Sequence, residues 1–222
     1  MSKNKLIVIH QPDFIPWIGF FDRLIKSDIF VVLDNVQYIR RGWQHRDKIK
    51  TTSGSMLLTV PVKKKGNYEQ LINEVEIDDS QNWRNKHLKT LHHNYGKAKY
   101  FSSIFPKIET VYSENHQLLI DLNIAFIKLI NNLLNIQVKM LLSSTLGCTG
   151  KKTDLLINIV KKVGGESYLS GIGSRSYIVE DRFREEKIDL IWQKFKHPVY
   201  IQLHGGFISE LSILDYLFNC GT

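Results

Sequence analysis

The chain has 222 residues, of which 43% are hydrophobic and 11% aromatic, a composition typical of a globular protein with a substantial core. Charged residues make up 23%, and with the abundant Ile, Leu, Val and Phe this share excludes a disordered protein. No apolar run reaches the roughly 18 residues that cross a bilayer, and the run Leu6–Ile9 is too short for a signal peptide. Two cysteines, Cys148 and Cys220, make neither a disulfide scaffold nor a zinc cluster. We therefore expect a cytoplasmic protein with no membrane span and no metal.

The net charge of +8, from 30 Lys and Arg against 22 Asp and Glu, is concentrated in one part of the chain. Residues 36–65 contain eight Lys and Arg and a single acidic residue, whereas residues 202–222 contain no Lys or Arg. Such a segment is typical of nucleic-acid binding, of a pocket for phosphorylated or carboxylated small molecules, or of a solvated surface.

The first predicted elements form a strand–helix–strand unit. Leu6–His10 is a short β-branched run that predicts a strand, and the apolar spacing in residues 17–27 predicts a helix. Ile29–Leu33 is continuously apolar, as expected for a strand buried on both faces. This order indicates a βαβ unit, in which ligands bind beyond the carboxyl ends of the strands. The polar side chains expected there are His10, Gln11 and Asp34.

The middle of the chain predicts two further strands and an inserted helical subdomain. Residues 56–62 predict a strand, which a basic turn at 63–67 connects to a weaker strand at 71–77. Residues 79–95 predict a helix that begins at an Asp-Ser N-cap and is closed by a glycine, and residues 112–135 predict a long helix. We expect residues 79–135, roughly, to form the insertion.

The alternating pattern then resumes and completes the predicted fold. The remaining predicted elements are strands at 138–142, 167–170 and 188–195, helices from Lys151 and at 177–186, and a final helical turn at 211–217. We therefore predict a single α/β domain over residues 1–222, with a Rossmann-like, mostly parallel sheet flanked by helices and an inserted helical subdomain.

His10-Gln11-Pro12, followed by Pro16-Trp17-Ile18-Gly19-Phe20, is the sharpest local motif. A histidine placed by a strand at the sheet edge can polarise a carbonyl or phosphoryl oxygen, or move a proton. The two prolines restrict the loop and favour this functional interpretation. The alternative is that His10 only hydrogen-bonds a loop carbonyl.

The basic stretch contains Arg40, Arg41 and Arg46, together with Gln44 and the aromatic Trp43. Arginine forks bind carboxylate or phosphate through two parallel hydrogen bonds, so an anionic ligand is the functional interpretation. The alternative is a solvated loop, which is the usual setting of a charge run. Trp43 favours a segment that packs on the domain.

Ser170-Gly171-Ile172-Gly173-Ser174-Arg175 follows one predicted strand and precedes a helix. Glycines in this position allow backbone N–H groups to approach an anion, and serine hydroxyls add donors. Ordinary turns use the same residues, so the alternative is a turn without a ligand. Thr153, near the start of the preceding helix, is best interpreted as an ordinary cap.

The remaining histidines give weaker signals. His197 follows the last predicted strand and is a candidate site residue. His87, His92, His93 and His116 have no acidic partner at a metal-ligand spacing, so we expect no metal site.

Eight motifs, spread in order over essentially the whole chain, resemble one known family. They are His10-Gln11-Pro12, Pro16-Trp17-Ile18-Gly19-Phe20, Asp34-Asn35-Val36-Gln37-Tyr38, Arg41-Gly42-Trp43-Gln44-His45-Arg46, Leu58-Thr59-Val60-Pro61-Val62, Tyr168-Leu169-Ser170-Gly171, His197-Pro198 and Leu211-Ser212-Ile213-Leu214-Asp215-Tyr216-Leu217-Phe218-Asn219. Together they resemble the WbqC-like family. The resemblance implies a bacterial protein encoded among genes for surface-polysaccharide and O-antigen synthesis.

The chain departs from the family pattern at two of these positions. Asn35 stands where the family usually has a second Asp, and His45 stands where it usually has Asn. Asp34 and Arg46 are therefore the safer residues to carry over as chemical groups.

The start of the chain also resembles, more distantly, the HIGH-motif nucleotidylyltransferases and pantothenate synthetase. In those enzymes, histidines that flank the glycine stabilise the transferring phosphate, whereas here Trp17 and Phe20 flank Gly19. The resemblance therefore supports a Rossmann-like fold more than adenylylation. If ATP is used, His10 would have to replace the missing histidines.

The leading hypothesis is an enzyme that transfers an acyl or aminoacyl group to a nucleotide-linked amino sugar. His10 would be the general base or polarising group, and Asp34 would orient the amine or a sugar hydroxyl. The expected substrate-binding residues are Gln11, Gln37, Arg41, Gln44, Arg46, Ser170, Gly171, Ser174, Tyr177 and His197. The expected partners are a nucleotide-linked sugar and an acyl or aminoacyl donor. The sequence does not identify a cofactor, and ATP or an activated acyl donor is compatible with the hypothesis.

Two alternatives belong to other functional classes. The first is a non-catalytic sugar-nucleotide-binding protein of the same pathway. The second is an RNA-binding protein that uses the basic segment 40–50, with aminoacyl-tRNA as the nucleic acid that fits the transfer hypothesis. RNA binding would weaken steeply with salt as counterions are released.

Overall fold

The structure, a computed structural model, describes residues 4–64, 66 and 68–222, so Lys65 and Asn67 of the predicted basic turn lie outside the described residues. The strands are β1 (Leu6–His10), β2 (Ile29–Val32), β3 (Arg46–Thr51), β4 (Gly54–Thr59), β5 (Lys139–Leu142), β6 (Ser167–Ser170) and β7 (Asp189–Trp192). The helices are α1 (Ile18–Lys26), α2 (Trp83–Tyr95), α3 (Phe101–Ser113), α4 (Leu119–Leu133), α5 (Lys152–Lys162), α6 (Glu180–Glu185) and α7 (Ile213–Cys220).

The chain forms two compact units, each made of several segments. The first unit contains the described residues up to Gln11, Asp22–Asn35 and Ile136–Lys196. The second unit contains Pro12–Phe21, Val36–Asn135 and His197–Thr222, and α2, α3 and α4 belong to it. The single domain over 1–222 and the insertion bounds of 79–135 stay predictions.

The first unit contains a five-stranded parallel sheet. Its strand order is β5-β2-β1-β6-β7, and every neighbouring pair is parallel. In the central strand, Ile7 pairs with Ile29 of β2 on one side and with Tyr168 of β6 on the other. All four residues of β2 are buried, as its continuous apolar run predicts. With its flanking helices, this sheet confirms the predicted Rossmann-like α/β fold.

Two details of the first unit differ from the sequence-based predictions. The helix predicted at 177–186 is shorter, because residues 172–176 form a 3-10 helix and α6 begins only at Glu180. The prediction of Thr153 as a helix cap is wrong. Its hydroxyl accepts a hydrogen bond from the Val179 N–H (3.0 Å) and donates to the Tyr177 carbonyl (3.3 Å), so it ties α5 to the segment before α6.

The second unit contains a β-hairpin where the sequence indicated a basic loop and a single strand. β3 and β4 pair antiparallel, with Arg46 opposite Thr59 at one end and Thr51 opposite Gly54 at the other. Gly54 has φ +112°, which favours glycine in this turn. Sequence reasoning missed β3 because two of its three buried residues, Asp47 and Lys50, are charged and hide any apolar period.

The helices of the second unit also begin at other residues than predicted. α2 begins at Trp83, and Asp79 accepts a hydrogen bond from the Trp83 indole (2.8 Å) rather than capping the helix. The long helix predicted at 112–135 is wrong, because α3 ends at Ser113 and a new helix, α4, begins at Leu119. Sequence reasoning missed α3, which contains Pro106 in its interior, where a proline normally argues against a helix.

The predicted final turn is a complete helix, α7. The Ser212 hydroxyl caps it by accepting a hydrogen bond from the Leu214 N–H (3.3 Å), and its apolar face is buried. Within the described part of the chain, no helix has the length and apolar character that crossing a membrane requires.

Candidate functional site

The carboxyl ends of β1 and β6 form the switch point of the parallel sheet. β2 and β5 lie on one side of β1, and β6 and β7 lie on its other side, so the strand order reverses at β1. In open α/β sheets, ligands bind in the crevice at such a reversal. Polar residues at or just after the strand ends in this unit include His10, Gln11, Asp34, Ser143, Ser170 and Gln193.

His10 is the last residue of the central strand, as the sequence predicted. Its Nδ1 lies 2.9 Å from the carbonyl oxygen of Gln11. Because a carbonyl only accepts, Nδ1 carries the proton in this contact, and Nε2 then presents its lone pair. Loss of hydration, and then the positive charge of Arg23, lower the pKa of His10 to about 3. The imidazole is therefore neutral at physiological pH.

Arg23 on α1 is a site residue that sequence reasoning missed. Its side chain is only 5% exposed, and its charge acts on His10, Tyr168 and Tyr177. Its guanidinium also lies against the backbone of Gly171, where an added Cβ would be 3.1 Å from Nη1. The available signal was the helical spacing, because Arg23 falls in the buried stripe of α1 rather than on a solvated face.

The loop after β6 brings several hydroxyl groups together. Ser170 Oγ lies 2.6 Å from Ser174 Oγ and donates to the Tyr168 hydroxyl at 3.3 Å. Ser174 Oγ donates to the Gly171 carbonyl at 2.7 Å, and the Ser174 carbonyl accepts a hydrogen bond from the Tyr177 N–H at 3.1 Å. The structure thus places four predicted binding residues in one hydrogen-bonded group. We call His10, Arg23, Ser170, Gly171, Ser174 and Tyr177 the sheet-edge site.

Asp34, the second predicted catalytic residue, follows β2 and is 1% exposed. Its Oδ1 accepts hydrogen bonds from Ser143 Oγ (2.7 Å) and the Ser144 N–H (2.8 Å), and its Oδ2 accepts from Ser144 Oγ (2.6 Å). Ser143 Oγ also donates to Asn35 Oδ1 at 2.5 Å. These contacts fix the turn after β5 to the end of β2. The predicted catalytic role of Asp34 stays a prediction, and sequence reasoning missed both serines.

The predicted binding residues of the basic segment lie in the second unit. Arg41 is exposed, and its carbonyl accepts a hydrogen bond from Arg46 Nη2 at 2.5 Å. Gln44 is 3% exposed. Gln37 is exposed, and its amide donates to the Tyr68 carbonyl at 3.5 Å. Their roles in binding stay predictions.

Lys50 reduces the charge that the segment 40–50 presents to solvent. Its side chain is 1% exposed, and its ammonium donates to Gln202 Oε1 (3.1 Å) and to the carbonyls of Gly205 (2.8 Å) and Gly206. A phosphate backbone therefore does not meet this charge. The RNA-binding alternative depends on the remaining basic residues of the segment.

His197 is anchored through both ring nitrogens. Its Nδ1 donates to the Pro198 carbonyl at 2.8 Å, and its Nε2 accepts from the Glu210 N–H at 3.3 Å. The ring also stacks on Trp17, with centroids 6.1 Å apart. These contacts account for the histidine structurally, and its binding role stays a prediction.

Within residues 4–64, 66 and 68–222, no group of three or more His, Cys, Asp and Glu side chains could hold a metal ion.

Comparison with known proteins identifies the family of the chain. The model of the WbqC-like protein family matches residues 11–222. The chain is 36% identical over 220 residues to the uncharacterized protein Rv1507c of Mycobacterium tuberculosis (strain ATCC 25618 / H37Rv). The aligned region covers 98% of this chain and 95% of that protein. No solved structure matches it significantly. The chain therefore belongs to the WbqC-like protein family.

Proposed function

We propose that this protein is an enzyme of surface-polysaccharide (O-antigen) biosynthesis that transfers an acyl or aminoacyl group to the amine of a nucleotide-linked amino sugar. The observation that carries the proposal is the neutral His10 imidazole at the carboxyl end of the central strand, under the charge of the buried Arg23. The pathway follows from the family resemblance. The reaction class follows from what these two groups can do together.

The reaction needs an acceptor for one proton. The amine nitrogen attacks the carbonyl carbon of the donor, so that a C–N bond forms and the bond to the leaving group breaks. The nitrogen loses a proton to His10 Nε2, and the imidazolium then returns that proton to the leaving group. The Gln11 carbonyl holds the ring through Nδ1–H and presents Nε2 for this step.

The charge of Arg23 couples proton transfer to substrate binding. In the free protein, desolvation and this charge hold the pKa of His10 at about 3, which makes the ring a weak base. An anionic group bound beside Arg23 offsets the guanidinium charge and raises the pKa of His10 towards its ordinary value near 6.5. The His10 imidazole therefore becomes a stronger base when the substrate is in place.

The hydroxyl groups of the sheet-edge site provide the other contacts to the bound anion. Ser170, Ser174 and Tyr177 place hydroxyl groups in this loop, and the two serine protons would turn from the Tyr168 hydroxyl and the Gly171 carbonyl to the bound anion. Gly171 lets Arg23 approach the loop. In this proposal they hold a phosphate or carboxylate oxygen of the sugar nucleotide or the donor. Asp34 is a positioning residue, because its carboxylate is already bound by Ser143 and Ser144.

The test is a transfer assay read by mass spectrometry. The purified protein is incubated with dTDP- and UDP-linked amino sugars, with ATP and amino acids or with activated acyl donors, and we expect a sugar nucleotide that has gained the acyl mass. His10→Ala and Arg23→Gln should reduce turnover by about 100-fold or more. His93→Ala, on the exposed face of α2, is the matched control and should keep full activity. Absence of product with every donor, or full activity of His10→Ala, would refute the catalytic role.

A non-catalytic sugar-nucleotide-binding role is the second candidate. The observation that favours it is the same low pKa of His10, because a ring that rarely takes up a proton still accepts a hydrogen bond well. This candidate predicts sugar-nucleotide binding by calorimetry without turnover, and His10→Ala would then weaken binding alone.

A further inference from the structure

Three buried polar atoms of the second unit, within one group of neighbouring side chains, have no hydrogen-bond partner. They are the Tyr38 hydroxyl, His45 Nδ1 and Arg46 Nε. Tyr38 is 4% exposed and His45 is 2% exposed, and their rings meet edge to face with centroids 5.7 Å apart. Buried polar groups are nearly always paired, so three unsatisfied atoms in one group need a partner that the protein itself does not supply.

The charges that act on these groups are positive. Arg46 and Arg40 act on the Tyr38 hydroxyl, and Lys64 and Arg46 act on the His45 ring. The Arg40 guanidinium is held in place, since it donates to the Lys64 carbonyl at 2.9 Å and lies 4.3 Å above the Tyr68 ring. A positive field around unsatisfied polar atoms favours an anion.

Arg46 is oriented for this task. Its Nη2 donates to the Arg41 carbonyl at 2.5 Å, which fixes the plane of the guanidinium and leaves the Nε–H buried among the group. The Tyr38 hydroxyl can donate in addition. The Nδ1 of His45 has no protein partner, and the neutral ring can place its proton on this nitrogen and donate as well. Three donors from three side chains match in number the three strong acceptor oxygens of a phosphoryl group.

We propose that Tyr38, His45 and Arg46 form a phosphate-binding site in the second unit, which takes a phosphoryl group of a phosphorylated ligand. This site does not rest on the transfer reaction proposed for the sheet-edge site. The sequence had singled out Arg46 of these residues for binding, but neither Tyr38 nor His45, whose burial is the new observation.

The first test uses the full chain, with inorganic pyrophosphate as the probe and the histidine ring signals as the readout in NMR. The His45 signal is assigned by its loss in His45→Gln. We expect a saturable shift of the His45 signal as pyrophosphate is added. A shift of His10 reports on the sheet-edge site instead, so the two proposals fail separately. No shift of His45 at pyrophosphate concentrations on the order of 10 mM would overturn this one.

The second test measures pyrophosphate affinity by calorimetry in variants. Tyr38→Phe removes the hydroxyl alone and should weaken binding about fivefold, and Arg46→Gln should weaken it about 30-fold. Tyr112→Phe is the matched control, because that tyrosine is also buried but its hydroxyl contacts His87. Unchanged affinity in Tyr38→Phe and Arg46→Gln would overturn the proposal. If Arg46→Gln does not fold, Tyr38→Phe and the His45 signal of the unsubstituted protein decide.

Discussion

The guanidinium of Arg23 lies beside Gly171, next to the space that a side chain at position 171 would enter. An added Cβ at position 171 would lie 3.1 Å from Arg23 Nη1 and 3.6 Å from Cζ. Gly171 has φ −71° and ψ 152°, a conformation that any residue adopts, so the backbone does not itself require glycine. The absent side chain gives room to Arg23. This contact joins the loop after β6 to the charge that controls His10.

Gly171→Ala should therefore displace Arg23 without breaking the fold. We expect the pKa of His10 to rise above about 3, because the guanidinium moves and its field at the imidazole weakens. The free energy of unfolding should fall by about 1 kcal/mol, as expected for modest overpacking. NMR titration of the His10 ring measures the first effect, and urea unfolding measures the second.

Gly173→Ala is the matched control in the same loop. An added Cβ there has no atom within 4 Å, so both the His10 pKa and the stability should stay unchanged. If both variants titrate like the unsubstituted protein, Arg23 does not depend on the glycine at 171.

Asp34→Asn should destabilise the first unit. The amide keeps one oxygen for Ser143 and the Ser144 N–H, but it places an NH₂ group where Ser144 Oγ now donates. Hydrogen bonds to a charged group are the stronger ones, and we expect a loss of about 2 kcal/mol in the free energy of unfolding. Chemical unfolding followed by circular dichroism measures it. Asp181→Asn, with a side chain 74% exposed, should leave stability unchanged, and an equal loss in both variants would contradict the assigned contacts.

The sequence predicted the sheet and the position of His10 because local patterns determine both. Leu6–His10 and Ile29–Val32 are apolar runs, buried as a central pair of parallel strands, and the first ends on the histidine. Arg23 could not be assigned in this way. Helical spacing indicated that Arg23 lies in the buried stripe of α1, but only the folded surroundings show that its charge acts on His10.

The second unit was harder to predict because long-range contacts determine it. Tyr38 is held by a hydrogen bond from its N–H to the Gln70 carbonyl at 3.0 Å, and no local period indicates that pairing. His45 lies in a sequence rich in charge, which favours a solvated loop, yet it is buried beside Tyr38. Propensity and periodicity do not report such contacts.

Lys50→Met should loosen the segment near Gly205. Methionine fills a similar volume but leaves the Gln202 side chain and the Gly205 carbonyl without the ammonium donor. We expect a loss of about 2 kcal/mol in the free energy of unfolding, because the hydrogen bonds from a buried charged donor to Gln202 and to the Gly205 carbonyl are lost. Limited proteolysis should also cut faster between 202 and 208. Lys48→Met is the control, because the Lys48 ammonium lies 5.3 Å over the Trp43 ring. Equal cleavage of both variants would argue against a structural role for Lys50.

Acid should destabilise the protein through buried neutral histidines, of which His87 gives the clearest test. Burial lowers its pKa to about 4, while its ring contacts the Tyr112 hydroxyl (3.1 Å) and the Thr59 carbonyl (3.2 Å). The unfolded chain takes up this proton near pH 6.5 and the folded chain only near pH 4, so the stabilising contribution is complete above pH 6.5 and is lost as pH falls towards 4. The free energy of unfolding of the unsubstituted protein should fall by about 1.4 kcal/mol per pH unit in that window because of this residue.

His87→Gln should be less stable at pH 7.5 but lack this part of the pH dependence, so its urea unfolding curves approach those of the unsubstituted protein by pH 4.5. The exposed His93→Gln should keep the full slope, and parallel pH profiles for His87→Gln and the unsubstituted protein would show that His87 titrates normally in the folded state.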